Sequence, residues 1–215
     1  FNDVRVRRAV SLAIDRKAWN DALLFGEGCI DSGPIPCAMT DWKLDAAKMD
    51  PAKVKTLVGY DPAEAKRLLA QAGHPKGFTT PMFNWPGYVS PWRSYYELAA
   101  EALGKVGITV ELKPEEYGKY ISTTYLGKFE KMAMGPSTPF TEVDDFLYGT
   151  HFPEQPNNRS SVADAELNKL LVAQRRELDP KKRKEIVDEI QRYLADKQYY
   201  VYVPQWPQYV SHPPY

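Results

Sequence analysis

Leu103-Gly-Lys-Val-Gly-Ile-Thr-Val-Glu-Leu112 changes its hydrophobic period part-way along, and that change decides the fold class. Upstream, Tyr95, Leu98, Ala99, Ala102, Leu103 and Val106 recur at helical spacing behind Pro91, and Gly107 supplies the stop. Downstream, Ile108, Val110 and Leu112 alternate with polar neighbours, as a half-buried strand requires. Phe78-Thr-Thr-Pro-Met-Phe-Asn-Trp-Pro-Gly87 has strand character with two prolines and reads as an edge strand running into a loop. On the far side, a short helix around Tyr117, Tyr120 and Ile121 ends near Gly127, and 129–134 reads as another strand. Helix and strand alternate, so the expectation is a mixed α/β unit, a mixed sheet flanked by helices.

The remaining elements extend this pattern. Asp61-Pro62-Ala-Glu64 combines an N-cap, a proline in the first turn and a capping-box acid ahead of Leu68, Leu69 and Ala72, with Gly73 as the stop. Residues 38–60 read as a surface connection with room for a short helical turn. The first helix is capped by Asp3, and Val6, Val10, Ile14, Ala18 and Ala22 share one face until Gly26 and Gly28 end it. Opening directly on a capped helix, the chain is expected to be part of a longer polypeptide. Ser161 with Asp164, and Asp179 with Pro180, start two further helices, the second burying Ile186, Val187, Ile190 and Leu194. The run 181–184 of basic residues sits among Glu185, Asp188 and Glu189 and reads as a solvated face. Residues 199–204 form a β-rich strand, so residues 1–198 are expected to form the lobe and 199–215 its final strand and crossover.

Composition narrows the function classes. The 215 residues carry 28 basic and 28 acidic side chains, a formal charge of zero. That balance argues against nucleic acid as a partner. No run reaches the roughly 20 apolar residues of a membrane span. Five Trp and fourteen Tyr are many for this length, and such rings suit both ligand-contacting surfaces and cores. Cys29 and Cys37 lie in the loop Gly26-Glu-Gly-Cys-Ile-Asp-Ser-Gly-Pro-Ile-Pro-Cys37. Their spacing permits a small disulfide loop in an oxidising compartment and two free thiols in a reducing one. His74, His151 and His212 are dispersed and form no metal motif. Neither they, with an acid such as Asp144, nor Ser137 as nucleophile, lie in a nucleophile elbow, a His-Glu-x-x-His pattern or a phosphate loop. The expectation is therefore no enzyme and no cofactor.

Several stretches occur in a fixed order: Asp3-Val-Arg-Val-Arg-Arg-Ala-Val10 with Ala13-Ile-Asp-Arg16, Ser32-Gly-Pro-Ile-Pro36, Tyr60-Asp-Pro-Ala-Glu-Ala-Lys-Arg-Leu-Leu-Ala-Gln-Ala-Gly73, Leu103 to Leu112, and Asp179-Pro-Lys-Lys-Arg183. Together they resemble the C-terminal lobe of the family 5 extracellular solute-binding proteins, the peptide-binding type served by ABC importers. The resemblance covers nearly the whole chain and implies a type II periplasmic-binding-protein-like fold. It further implies a ligand trapped between this lobe and a missing N-terminal lobe, closure about a hinge, transmembrane permease subunits as partners, and a periplasmic or extracytoplasmic location. The same lobe behind a DNA-binding domain would instead serve a transcriptional regulator as its ligand sensor.

The resemblance directs attention to two loops over the sheet, 83–92 and 135–151, as ligand-facing. Candidate ligand contacts are Phe83, Asn84, Trp85 and Tyr88 in the first, Ser137, Thr138 and Phe140 in the second, and Trp206 after the final strand. Trp85 and Trp206 would equally serve to seal the lobe. In the peptide-binding members an Asp ahead of the Asp-Pro-x-x-Phe-Leu turn pairs with the peptide's amino group. Here Gly135-Pro-Ser-Thr138-Pro139-Phe140-Thr-Glu142-Val-Asp144-Asp-Phe146-Leu147 places Pro139 at that position. A buried ammonium needs a paired charge, so the departure implies weak selection for free N-termini, unless Glu142 or Asp144 supplies the carboxylate.

Overall fold

β1 (Phe78–Asn84), β2 (Ile108–Pro114) and β3 (Met132–Ala133) form a parallel sheet in the order β2-β1-β3. The structure is a computed structural model and describes residues 1–87, 92–138 and 140–207. Phe78 pairs with Ile108 and the register continues to Asn84 with Pro114, while Met82 and Phe83 pair with Met132 and Ala133. The proline-bearing strand is therefore central, not an edge strand. Pro81 is tolerated there for a geometric reason. Met134 N–H donates to Phe83 O at 3.0 Å, so residue 83 and, two back, residue 81 face the β3 side. β3 begins opposite Met82, and the N–H that Pro81 lacks would have met no strand. β3 itself is shorter than the 129–134 expected, because Lys131 takes a left-handed φ of 68° immediately before it.

Crossover helices join the strands: α5 (Trp92–Lys105) between β1 and β2, and α6 (Tyr117–Ser122) with a 3-10 turn, Thr124–Leu126, between β2 and β3. The turn from α5 into β2 passes against the start of β1. A Cβ on Gly77 would sit 1.8 Å from Gly107 O, and both residues have positive φ, which makes glycine obligatory at each.

The N-terminal helix of the sequence reading is two helices, α1 (Val4–Leu12) and α2 (Arg16–Leu24). Asp15 breaks the run by capping the second one, accepting Ala18 N–H at 2.9 Å. The break rotates the apolar face: Val6, Val10 and Ile14 are buried, but Ala18 and Ala22 are exposed, and α2 buries Trp19, Asn20 and Leu24 instead. It ends on Phe25, at φ 54°, one residue before the expected glycine stop. The stretch read as a connection holds a full helix, α3 (Pro51–Val58), capped by Asp50 with proline in its first turn. α4 (Pro62–Gln71) is capped by Asp61 as expected and packs on α1.

Three apolar clusters hold these layers. Val6, Ala9 and Val10 meet Ala65, Leu68, Leu69, Leu103 and Ile108. Ile14, Trp19, Met82, Tyr95 and Tyr96 lie against the sheet. The third cluster forms where α7 (Val143–His151), α8 (Ala165–Arg176) and α9 (Pro180–Lys197) bring Val143, Leu147, Leu171, Val187 and Ile190 onto Ile35. Burial of such side chains contributes about 1.5–3 kcal/mol each.

Residues 199–204 do not enter a ladder, contrary to the strand expected there; at Gln205 a single antiparallel bridge forms to Cys29. Side chains satisfy their carbonyls instead. Arg16 Nε donates to Tyr202 O at 2.9 Å, Ser32 Oγ to Val203 O at 2.7 Å, and Tyr95 OH to Pro204 O at 3.1 Å. Arg16 is 2% exposed and its guanidinium also reaches Ser11 O, Ile14 O and Gly59 O, so a buried cation rests in a cage of carbonyls. Desolvation lowers its pKa to about 10, still well above neutrality. Cys29 and Cys37 are joined in a disulfide, and Gln205 Oε1 accepts Cys37 N–H at 2.9 Å. Among the described residues no helix is long and apolar enough to cross a membrane.

Candidate functional site

Because all three strands are parallel, their C-terminal ends lie on one side of the sheet, and the loops that follow them share that rim. Glu115 N–H donates to Asn84 O at 2.9 Å and Met134 N–H to Phe83 O at 3.0 Å, which holds two of the loops together past the last paired residues. Aromatic side chains gather there. Trp85 follows β1 and meets Tyr117 at 4.7 Å and Tyr120 at 6.5 Å, ring centre to ring centre, and Tyr120 lies 6.1 Å from Tyr125. Tyr117 and Tyr120 share a face of α6 because they are three residues apart. Tyr117 is 52% exposed, leaving a ring available to a ligand.

The polar half of the rim centres on Thr138. Its Oγ1 lies 3.0 Å from Tyr125 OH and 3.3 Å from Asn157 Oδ1, and it accepts Arg159 Nη2 at 2.8 Å. Arg159 also donates from Nη1 to Pro136 O at 3.3 Å, and its guanidinium lies 3.8 Å over the Tyr125 ring. That is cation–π stacking at van der Waals distance. The nearby carboxylates are committed elsewhere. Glu115 Oε2 accepts Thr124 Oγ1 at 2.6 Å and Oε1 meets Lys119 Nζ at 3.1 Å. Glu116 caps α6, and the backbone amides of Gly118 and Lys119 hold its carboxyl below the usual range. Asn84 is 4% exposed and its Oδ1 has no hydrogen-bond partner among the described residues, a state that costs about 1–3 kcal/mol unless a ligand donor meets it.

The structure thus brings Asn84, Trp85 and Thr138 of the expected contacts into one rim, with Phe83 contributing its backbone. Phe140 packs edge-on against Phe146 of α7, at 5.2 Å. Ser137 is exposed, with Oγ 3.5 Å from Thr138 O. Trp206 is half-buried just past the bridge at Gln205. Tyr95 and Tyr96, neighbours on α5, tie Pro204 O and Trp85 O, at 3.1 and 3.4 Å, to the same end of that helix. Tyr88, Pro139 and His212 lie outside the described residues. Tyr117, Tyr120, Tyr125, Asn157 and Arg159 are additions that the sequence reading missed. The available signal was positional: two of these tyrosines follow directly after a parallel strand.

Other candidates are accounted for structurally. Glu142, offered by the sequence as an alternative amine anchor, is paired with Arg183 at 2.8 Å, and Asp144 with Arg175 at 3.2 Å and with Gln174. These pairs line an open cleft between α7, α8 and α9, with Trp42 and Leu178; its lining shares no residue with the aromatic rim. His74 packs on Phe78 at 4.8 Å, and His151 is buried with Nδ1 2.9 Å from Leu147 O, so neither forms a nucleophile–base pair with Ser137. Cys29, Asp31 and Cys37 come close enough to hold a metal, but both sulfurs are in the disulfide.

Comparison with known proteins gives a consistent result. The family model for bacterial extracellular solute-binding proteins, family 5, middle region, matches residues 1–158. Di/tripeptide-binding protein 1 of Pseudomonas aeruginosa is 30% identical over 204 residues, covering 92% of this chain and 36% of that protein. The dipeptide-binding protein of Escherichia coli is 27% identical over 203 residues, with 92% and 36% covered. Among solved structures, the periplasmic binding protein DppA of Helicobacter pylori, in complex with peptide STSA, superposes with a TM-score of 0.77 at 27% identity, covering 95% of this chain and 38% of that one. The chain thus spans little more than a third of the length of these relatives.

Proposed function

The chain belongs to the family 5 bacterial extracellular solute-binding proteins, and on that premise we propose that it forms one wall of a solute-binding cleft. The solute would be a peptide-like or other small organic molecule, closed between this lobe and the remainder of a longer protein and delivered to the permease of an ABC importer. The observation that carries the reading is the shared rim of three parallel strand ends, where Trp85, Tyr117 and Tyr120 offer ring faces beside the hydroxyl and guanidinium groups of Thr138 and Arg159. Apolar walls with few fixed polar groups are what a small-molecule site needs. Residues 1–198 act as the lobe, and 199–215 as the path toward the rest of the protein, with domain closure as the working motion. A periplasmic or extracytoplasmic place, at the membrane through the importer, agrees with the disulfide.

The ligand in this reading is not an ordinary α-amino peptide. Pro139 stands where peptide-binding members place their amine-pairing Asp, and Glu142 and Asp144 are held by arginines. A capped peptide, a sugar or another organic solute fits better. The test is native mass spectrometry of the full-length protein purified without denaturant. A discrete non-peptide or blocked-peptide mass is expected; a ladder of free peptides would refute this choice of ligand, and no bound solute under any growth condition would refute the cleft itself.

A further inference from the structure

Arg159, at the rim, is a cation that no acid among the described residues neutralises, and that asymmetry bears on the ligand. Among the described residues Arg159 has no carboxylate within ion-pair distance, whereas Glu115 is held by Lys119 and Thr124 and Glu116 by the α6 amides. The two other buried or half-buried arginines without an acid partner, Arg7 and Arg16, are wrapped in backbone carbonyls: Arg7 reaches Phe1 O, Asn2 O, Lys197 O and Gln198 O, and Arg16 the cage described above. Arg159 differs from both. It has a single carbonyl, Pro136 O, at 3.3 Å, and its other partners are Thr138 Oγ1 and Asn157 Oδ1, all on or beside the loop over the strand ends. Its Nε–H is buried with no partner, and it is half-buried as a whole, so the group is neither fully solvated nor fully satisfied.

The position is also fixed. The guanidinium carbon lies 3.8 Å from the centre of the Tyr125 ring, and Gly127, at φ +78°, lets the backbone of residue 159 come so close that a Cβ there would fall 2.8 Å from Arg159 O. A guanidinium held over a ring and beside a glycine contact is pre-positioned for an oxyanion, and its long contacts, 3.3 Å to Pro136 O and 3.4 Å to Asn157 Oδ1, are the ones a charged acceptor would replace. From Arg159 the ring contacts run through Tyr125 and Tyr120 to Trp85, so an anion at the guanidinium would place the rest of its carrier along the aromatic rim.

We propose that Arg159 is the specificity-determining anion anchor of the cleft, selecting small solutes that present a carboxylate or another planar oxyanion to the Thr138 loop while their apolar part lies along Tyr120 and Trp85. The inference rests on the cleft reading above and adds the charge of the ligand to it. It is tested with the full-length protein by calorimetric titration of N-acetyl-dialanine and its methyl ester, which differ in charge but little in shape. Wild type should bind the acid about tenfold or more tightly than the ester. R159Q should bring the two within about threefold of each other, and R159K, which keeps the charge without the fork, should retain the order of preference at lower affinity. Equal binding of acid and ester by wild type, an acid preference that survives in a folded R159Q, or no binding of the acid would each overturn the anchor. If R159Q does not fold, the wild-type and R159K titrations decide. Native mass spectrometry of the same preparation separates the two levels: a solute that co-purifies while the acid is not preferred removes only the anchor, whereas neither solute nor probe binding removes the cleft reading with it.

Discussion

His151 shows how one buried side chain sets a pH response. It is 1% exposed, Nδ1 lies 2.9 Å from Leu147 O, Nε2 has no partner among the described residues, and Tyr200 meets the ring edge-on at 5.4 Å. Burial disfavours the imidazolium and pushes the pKa down from 6.5 to about 4, with the backbone carbonyls of Leu147 and Phe146 opposing only part of the shift. Between these two values the unfolded chain binds the proton and the folded one does not. Stability from this group is therefore complete above pH 6.5 and is lost as pH falls to about 4, by up to about 3 kcal/mol. Urea unfolding at a series of pH values should show this slope in wild type and a flatter one in His151→Gln. An unchanged slope in the variant would place the acid sensitivity elsewhere. The sequence displayed His151 as one of three scattered histidines; that it is a core residue depends on α7 meeting 199–204, which no local pattern encodes.

At the scale of elements, glycines and caps separate what was legible from what was not. Asp3, Asp61 and Asp179 cap helices where the sequence places them, since a side chain bonding amides two or three residues ahead is a local event, whereas α8 starts three residues later than the expected Ser161 cap, with Asp164 itself as the cap. The same rule applied to Asp15 would have divided the first helix, but an uninterrupted apolar spacing masked it. Pro81 misled for the opposite reason: its tolerance depends on β3 starting one residue further along. Gly127 gives a test of close approach against mere backbone strain. Gly73 also has positive φ, at 91°, but a Cβ there meets nothing within 4 Å, whereas at Gly127 it would strike the Arg159 backbone. Gly73→Ala should cost about 1 kcal/mol. Gly127→Ala should cost clearly more, about 2–4 kcal/mol, because backbone strain and a clash add. Equal losses in melting experiments would mean that the 157–160 segment yields freely.

Across the whole molecule, the chain's last described segment is held less by sheet hydrogen bonds than by side chains from distant parts of the sequence. Arg16, Ser32 and Tyr95 bind its carbonyls, and the disulfide loop meets it through the paired amides of Cys29 and Gln205, both at 2.9 Å. Reduction of Cys29–Cys37 should thus lower stability by about 2–3 kcal/mol. It should also raise amide exchange at Gln205 before that of the sheet, as hydrogen-exchange mass spectrometry would resolve; simultaneous loosening of β1 would contradict this independence. The α/β class was readable because the period changes at Gly107. The site was only half readable, since Trp85 and Thr138 lie in loops that invite attention, while Tyr125, Asn157 and Arg159 join them only through the parallel order of the strands.

The central claim, that solute meets this lobe at the strand ends, is tested most directly by titrating the solute released from the full-length protein back into two variants. Trp85→Ala removes a ring from the rim, and Leu178→Ala alters the separate cleft at a side chain 93% exposed. The account predicts about tenfold or greater loss of affinity in the first and none in the second; loss in Leu178→Ala with Trp85→Ala unchanged would contradict it.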